Sequence, residues 1–206
     1  MYALVTDGTI TKYFSYPKGF TLGDLQYPKD IFMKWSVSEK EAIGIYEIVF
    51  NSSNFKDEKW YINTNQSFAF ANNTVTASYG TATAKAHADT TWSQDDEDAG
   101  DLPDDKSVGD VKVEGLKTTL IRTLKQQVAG ILNDTDWYIT RNAEKSTAIP
   151  SSISTHRDAV RTKQASMETA ITNASNTPAL ETLYTYTTDS DGVQSRPLGE
   201  LPVLES

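Results

Sequence analysis

The sequence predicts an α+β protein, with an N-terminal antiparallel β-rich domain over residues 1–90 and a helical hairpin module over residues 113–178. Apolar residues alternate with polar ones in the first region, which is the period of a half-buried strand, and recur with a helical period in the second. Acidic residues over 91–112 separate the two patterns and predict a linker. Residues 179–206 predict an extended C-terminal tail with a small hairpin at Asp191-Gly192.

Two short polar pairs organise the β-rich domain. Asp7-Gly8 lies between two strand-like runs and predicts a β-hairpin, because a type I′ turn requires positive φ angles that Asp and Gly tolerate. Asn72-Asn73 indicates a turn between further antiparallel strands. Ser38 followed by Glu41 has the spacing of a capping box, which predicts one short helix that ends at Gly44. The run "IYEIVF" after that glycine predicts another strand.

Two apolar stripes predict the helical hairpin. The first ends at Asn133-Asp134, and the second begins after Pro150 and ends before Pro178. A short helical piece is predicted between Trp137 and Lys145. Two helices alone leave part of their apolar faces uncovered, so a third element, the β-rich domain or another subunit must cover the rest. The stripes consist of Leu116, Leu120, Leu124, Val128, Ile131 and Leu132, and of Ile153, Val160, Met167, Ile171 and Ala174.

Composition excludes several classes of function. The formal charge is -9, and nine acidic residues with only one lysine lie between Asp89 and Asp110, so we expect no nucleic-acid partner. The chain has no cysteine, which excludes disulfides, thiolate metal sites and a cysteine nucleophile. The most apolar run, "AIGIYEIVF", is too short to span a membrane. His87 and His156 are isolated and no catalytic motif occurs, so we expect no enzyme, metal or cofactor.

The stretch "ILNDTDWYITRNAEK" places three polar residues and a tryptophan at the corner between the predicted helices. Asp134, Thr135 and Asp136 could be an acid–base pair with a neighbouring hydroxyl, or they could cap the ends of helices. Capping is favoured, because no nucleophile or histidine lies nearby in sequence. Trp137 is predicted to be a core anchor where the helices meet, and it is also a candidate partner-binding residue.

Arg157 and Arg161 share one face of the second predicted helix. They are candidates for contact with a partner or an anion. The alternative is an ion pair with Asp134 or Asp136 together with ordinary solvated charge, and this alternative is favoured because such pairs are common.

The helical region resembles the C-terminal module of many tailed-bacteriophage proteins. In that module an Arg-containing helix leads through a Leu-rich turn to Thr-Asp-Trp, and an aromatic-Arg-x-x-Leu-Arg helix follows. His156 replaces the usual aromatic residue and Val160 replaces the usual leucine. The N-terminal runs "MYALV", "LGDLQYPKDI" and "GIYEIVF" are similar to proteins of phages that infect marine bacteria, cyanophages especially. The matching positions of the module are Arg122, Leu132, Thr135, Asp136, Trp137, His156, Arg157, Val160 and Arg161.

This resemblance implies a non-enzymatic structural or adaptor subunit of the phage tail or tail-fibre apparatus. Its partners would be other tail or tail-fibre proteins, with a homo-oligomer as a further expectation. It would be located in the virion tail, and in the host cytoplasm during assembly. Two alternatives remain: a tail-fibre assembly chaperone that is absent from the mature particle, and a host-glycan-binding receptor module. The aromatic residues that motivate the glycan alternative are Trp60, Tyr61, Phe68, Phe70 and Tyr79.

Overall fold

The computed structural model describes residues 1–204 and divides into two compact units, Met1–Thr83 and a second unit from Ala84 onward. Helices and strands are both present, which confirms the α+β class. The first unit contains most of the strands. Its elements are β1 (Tyr2–Thr6), β2 (Thr9–Phe14), β3 (Phe20–Leu22), β4 (Leu25–Tyr27), α1 (Ile31–Lys34), α2 (Val37–Glu41), β5 (Ile45–Asn51), β6 (Tyr61–Ile62), β7 (Ser67–Ala71) and β8 (Thr74–Ser78), and β9 (Thr83–Ala84) spans the boundary.

Five strands of the first unit form one sheet in the order β2-β1-β5-β8-β7. The pairs β1–β2, β1–β5 and β7–β8 are antiparallel, whereas β5 and β8 run parallel. The sheet is therefore mixed. The parallel pair joins strands that are distant in sequence, and alternation of polar and apolar residues along one strand carries no information about such a pairing.

Both predicted turns have the backbone conformation that their sequences require. Asp7 and Gly8 have φ of 50° and 75°, and Asn72 and Asn73 have φ of 49° and 57°. The flanking pairs Thr6↔Thr9 and Ala71↔Thr74 close two-residue hairpins. Type I′ geometry, which matches the twist of the strands, explains why residues that tolerate positive φ occupy these positions.

The sheet is buried on both faces at β1. One face carries a cluster centred on Leu4, Phe14 and Ile45, and the other carries a cluster centred on Ala3 and Val75. The edge strands β2 and β7 also approach each other, with the rings of Tyr13 and Phe68 packed at a centroid distance of 4.7 Å. The sheet is therefore curled, with its two edges brought together.

The short helix α2 begins two residues earlier than predicted. Ser36 accepts a hydrogen bond from the Glu39 backbone N–H, and the Glu39 carboxylate accepts one from the Ser36 backbone N–H at 2.8 Å. Two serine–glutamate pairs with the same spacing overlap here, and only the first forms the capping box. Gly44 has φ of 79°, and a Cβ at this position would lie 2.4 Å from the Val5 carbonyl oxygen, so the chain requires glycine there.

The second unit contains the long helices. The predicted hairpin corresponds to α4 and α6, and the predicted short piece corresponds to α5. An additional helix, α7, follows them. The elements are β10 (Thr90–Thr91), α3 (Gln94–Asp98), β11 (Val111–Val113), α4 (Leu116–Asn133), α5 (Asp136–Lys145), α6 (Ser151–Asn173), α7 (Thr177–Tyr184), β12 (Thr187–Thr188) and β13 (Gln194–Ser195).

The acidic segment, predicted as a linker over 91–112, is folded. β10 pairs with β11, and α3 lies between them with a capping box from Ser93 to Asp96. The Lys112 ammonium lies 2.5 Å from the Asp96 carboxylate and 4.3 Å from the centroid of the Trp92 ring. These hydrogen bonds, with that of Lys112 first, lower the pKa of Asp96 to about 2. Specific pairing thus offsets the repulsion that predicted a linker.

The N-terminal end of α4 is bonded to the segment that precedes β10. The Asp89 carboxylate accepts hydrogen bonds from the Gly115 backbone N–H and the Thr118 hydroxyl, both at 2.7 Å. Both bonds lower the pKa of Asp89, the backbone bond more strongly. A Cβ on Gly115 would lie 2.3 Å from the Ala88 carbonyl carbon. The Asp89 carboxylate therefore satisfies the backbone N–H of Gly115, the N-cap residue, while the next two N–H groups of α4, those of Leu116 and Lys117, donate to the Ala86 and His87 carbonyl groups.

Helix α7 lies where the sequence predicts that the helical module ends. The Asn176 side chain accepts a hydrogen bond from the Ala179 backbone N–H at 2.9 Å, and Pro178 lies in the first turn. Proline can end a helix, but its fixed φ also suits the first turn of a new one. Leu180 is fully buried, so α7 supplies part of the cover that the two long helices need.

Further cover comes from residues 196–204. Leu198 is buried, and its backbone N–H donates to the Leu183 carbonyl at 3.0 Å. The predicted tail hairpin is present as β12 and β13, with Gly192 at a φ of 81°. Glu205 and Ser206, the end of the predicted tail, lie outside the described residues.

Candidate protein-docking site

A buried arginine joins three helices at the corner that the sequence singles out. Arg157 lies on α6 and is only 7% exposed. One of its terminal nitrogens donates to the Leu132 carbonyl and to the Thr135 hydroxyl oxygen, each at 2.7 Å. The other lies 2.8 Å from an Asp136 carboxylate oxygen. The guanidinium therefore holds the end of α4 and the start of α5 against α6.

The chemistry of helix ends explains why an arginine occupies this position. The last carbonyl groups of a helix have no partner within it, and they carry the negative end of the helix dipole. Arg157 supplies several donors in a planar fork to the Leu132 carbonyl at the end of α4. The predicted ion pair between this arginine and Asp134 or Asp136 is confirmed, with Asp136 as the partner. The accompanying prediction of ordinary solvated charge is wrong for Arg157, because its side chain is buried.

The capping roles predicted for the polar residues at the corner are different in the structure. Asp134 is the C-cap of α4, and its backbone N–H bonds to the Leu132 carbonyl. Thr135 is the N-cap of α5, but within residues 1–204 its side chain makes no capping bond. Its hydroxyl instead donates to the Leu132 carbonyl at 3.0 Å and accepts from Arg157. The Thr135 hydroxyl and the Asp136 carboxylate instead bond to the buried Arg157 guanidinium.

Helix α5 displays aromatic residues to solvent. None of its ten residues, all of which the structure describes, is buried. Trp137 is 51% exposed, so its predicted role as a core anchor is wrong. Arg157 and Thr135 fill the corner instead, and Trp137 lies on the outer side of the first turn.

Three side chains of α5 lie in contact with one another, with Trp137 exposed and with Tyr138 and Arg141 half-buried. The rings of Trp137 and Tyr138 lie 3.9 Å apart between centroids. The Arg141 guanidinium lies 4.6 Å from the Trp137 centroid and 5.4 Å from that of Tyr138. The Arg141 Nε is buried and has no hydrogen-bond partner among residues 1–204. We call Trp137, Tyr138 and Arg141 the α5 surface.

Tyr138 and Arg141 are the functional candidates that the sequence reasoning missed. Arg141 follows Trp137 by four residues, and this spacing places two side chains on the same face of a helix. The spacing alone could have identified the cation–aromatic contact. It could not have shown that the contact is exposed, because exposure depends on how α5 leaves the corner.

The other predicted site residues lie apart from the α5 surface. Arg161 is exposed and lies 3.5 Å from Asp158, so it is separate from the Arg157 network. His156 is buried beside residues 201–204, with which it lines a cavity of about 310 Å³. In the first unit, Trp60 and Tyr61 are buried, while Phe68, Phe70 and Tyr79 are half-buried. Tyr79 packs on Phe50 and Phe55, which are more exposed.

The described residues contain neither a metal-binding cluster nor a membrane-spanning helix. Among residues 1–204, no group of three or more His, Asp or Glu side chains is arranged to hold a metal ion. Over the same described range, every helix is too short or too polar to cross a membrane.

No protein-family model, curated protein or solved structure matches this chain.

Proposed function

We propose that this chain is a non-enzymatic structural or adaptor subunit of a bacteriophage tail or tail-fibre apparatus, and that it docks through the α5 surface. The phage assignment rests on the resemblance of the Thr135-Asp136-Trp137 module. The docking role rests on a single observation, which is that α5 buries none of its residues and leaves Trp137 51% exposed, with Tyr138 and Arg141 half-buried beside it.

These three residues are of the types that contribute most to the stability of protein interfaces. Tryptophan, tyrosine and arginine are enriched among the residues that contribute most to binding energy. The two aromatic side chains bury a large area with little loss of conformational entropy. The exposed half of Trp137 amounts to roughly 120 Å², and its burial would contribute on the order of 3 kcal/mol at about 25 cal/mol per Å². Helix α5 contributes no buried residue to the core, and such a contact would give it a role in binding.

The geometry also reduces the entropic cost of docking. The Arg157 network fixes the start of α5, so the helix direction is set before a partner arrives. Arg141 covers both rings and restrains them. A partner that supplies an apolar pocket for Trp137 and an acceptor for Arg141 would bind a surface that is already ordered.

The experiment that tests the proposed function is quantitative mass spectrometry of gradient-purified virions and of the infected-cell lysate. We expect the chain in particles at a fixed ratio to known tail proteins. Abundance in the lysate together with absence from particles would instead favour the assembly chaperone.

The docking role is tested with variants supplied in place of the natural chain during infection. Trp137→Ala should remove the chain from particles while lowering its melting temperature only slightly. Ile139→Ala is the matched control, because Ile139 is 41% exposed and lies on the opposite side of the same helix. Equal incorporation of the two variants would refute docking through the α5 surface.

A further inference from the structure

The last turn of α4 lines an open cavity in the second unit. The cavity has a volume of about 540 Å³. Sites for small ligands are typically about 300–1,000 Å³ in volume and combine apolar walls with a few polar groups. We call it the α4 cavity, and its lining includes Gly130, Ile131, Asp134, Met167, Glu200 and Leu201.

Gly130 leaves one wall of the α4 cavity open. Glycine is unfavourable within a helix, and Gly130 lies in the last turn of α4. A Cβ at this position would meet no atom within 4 Å outside the adjoining turns of α4, so the fold does not require glycine there. The missing side chain instead leaves the helix backbone accessible from the cavity.

Asp134 gives the α4 cavity an unpaired negative charge. Its side chain is exposed, and it makes no hydrogen bond or ion pair with residues 1–204. The other acidic residue of the lining, Glu200, is paired with Arg196 at 2.7 Å, and the Lys163 charge also acts on it. The charge that remains available to a ligand is therefore that of the Asp134 carboxylate.

The end of α4 adds to this negative charge. The last carbonyl groups of a helix carry the negative end of its dipole, so a cation is stabilising there and an anion is not. The last turn of α4 contains no basic residue, and its C-cap is the acidic Asp134. Arg157 bonds to the Leu132 carbonyl, but its own charge is paired with Asp136. A cation in the α4 cavity would therefore relieve an unfavourable arrangement of charge.

We propose that the α4 cavity binds a small organic cation, with an amine or amidine group on the Asp134 carboxylate and an apolar body against Ile131, Met167 and Leu201. Met167 is 3% exposed and the other two side chains are half-buried, so they form an apolar wall beside the carboxylate. Charge-assisted hydrogen bonds fix the cation, and the wall removes the apolar body from water. The site contains no residue of the α5 surface, so its test does not depend on the proposed function.

Three molecules of nearly the same shape test the charge of the ligand. Benzamidine carries a cation on a phenyl ring, benzamide is its neutral counterpart, and benzoate is an anion. Each is titrated into the isotopically labelled full-length chain, and the backbone amide signals of Gly130 and Leu201 are followed by NMR. We expect saturable shifts with benzamidine, about tenfold weaker binding of benzamide and still weaker binding of benzoate. Equal affinities for benzamidine and benzamide, or no saturable shift with benzamidine, would overturn the proposal.

A pair of substitutions tests whether Asp134 holds the cation. Asp134→Asn keeps the size of the side chain and removes its charge, so it should weaken benzamidine binding about tenfold. Asp158→Asn is the matched control and should leave binding unchanged, because Asp158 is exposed on α6 and does not line the cavity. Equal effects of the two substitutions would refute the role of Asp134, because they would indicate attraction to the acidic chain as a whole.

A second pair tests the position of the ligand without changing any charge. Gly130→Leu fills the α4 cavity and should abolish the benzamidine shifts. Its melting temperature should not fall, because leucine is a better helix former than glycine and the new Cβ has open space. Ala129→Leu is the matched control and should retain binding, because Ala129 is an exposed neighbour on α4 that does not line this cavity. Unchanged binding by Gly130→Leu would place the ligand elsewhere and contradict the proposal.

Discussion

The corner between α4 and α6 and the neighbouring helix α5 reverse the usual placement of side chains. At the corner a charged residue is inside, since Arg157 is 7% exposed. On α5 the largest apolar side chain is outside, since Trp137 is 51% exposed. Charged residues are seldom fully buried unless they are paired. Tryptophan is usually buried for the most part, because its side chain is large and mainly apolar.

The difference separates two roles within one short stretch of sequence. The two terminal nitrogens of Arg157 have acceptors on Leu132, Thr135 and Asp136, and among residues 1–204 only its buried Nε has no hydrogen-bond partner, so the corner is bonded mainly within itself. Within residues 1–204, the aromatic and cation–π contacts of the α5 surface join its own three residues to one another. The corner therefore determines where α5 points, and α5 remains available for a partner. Substitutions at the two places should have opposite effects on stability and binding.

The largest effect on stability should come from Arg157→Ala. The substitution removes a buried guanidinium and leaves the helix-end carbonyl of Leu132 and the Thr135 hydroxyl with fewer partners, at a cost of about 3 kcal/mol. Urea unfolding followed by helical circular dichroism measures it, since α4 to α7 lie in the second unit. Arg161→Ala is the control and should change stability by less than about 0.5 kcal/mol, because its ion pair is exposed. Equal losses of stability in the two variants would contradict the prediction that Arg157 supports the fold and Arg161 does not.

The ion pair between Lys112 and Asp96 in the acidic segment predicts that the stability of the fold depends on pH. The pKa of Asp96 is lowered to about 2, with the hydrogen bond from Lys112 as the main cause. A lowered folded-state pKa stabilises the fold above the ordinary carboxyl value, and this contribution disappears as the pH falls toward 2. Acid titrations of the wild type and of Asp96→Asn should therefore differ in stability near neutral pH and converge at low pH. A constant difference across the titration would contradict the assignment.

A smaller change is expected where α5 ends. Ser146 adopts the left-handed conformation at a φ of 52°. Glycine adopts this conformation without the steric cost that Cβ imposes, so Ser146→Gly should stabilise the unit by about 1 kcal/mol. Thermal unfolding measures the change. Ser154→Gly, within α6, is the opposite control and should destabilise, because glycine is unfavourable inside a helix.

The smallest effect on stability is expected at Trp137. Trp137→Ala removes only the contacts with Tyr138 and Arg141, so the free energy of unfolding should change by about 0.5 kcal/mol. The same urea experiment as for Arg157→Ala provides the comparison. A loss near 3 kcal/mol would mean that Trp137 supports the fold, and the two roles would no longer be separable.

Local features of this fold could be predicted from the sequence. The turns at Asp7-Gly8 and Asn72-Asn73 depend on two residues each, and both form. The stripes of α4 and α6 depend on a regular period, and both helices form. The pairing of Arg157 with Asp136 could also be predicted, because the chain offers few acidic residues near the corner.

Features that depend on distant segments could not be predicted in the same way. The parallel pairing of β5 with β8 leaves no trace in either strand. The bond between Asp89 and the start of α4 joins residues 26 positions apart. Helix α7 could not be predicted, because Pro178 can either end one helix or begin another. The hydrogen bond that the Asn176 side chain accepts from the Ala179 backbone N–H shows that a new helix begins there. The exposure of Trp137 depends on the buried network around Arg157, which joins residues that are distant in sequence.

The approach of β2 and β7 has a consequence for self-association of the N-terminal unit. Free strand edges expose unpaired N–H and C=O groups, which template aggregation with the strands of other chains. Here Tyr13 and Phe68 bring the two edges of the sheet together, so each edge shields the other. We therefore expect the curl to hinder the addition of a strand from another chain to either edge of the sheet.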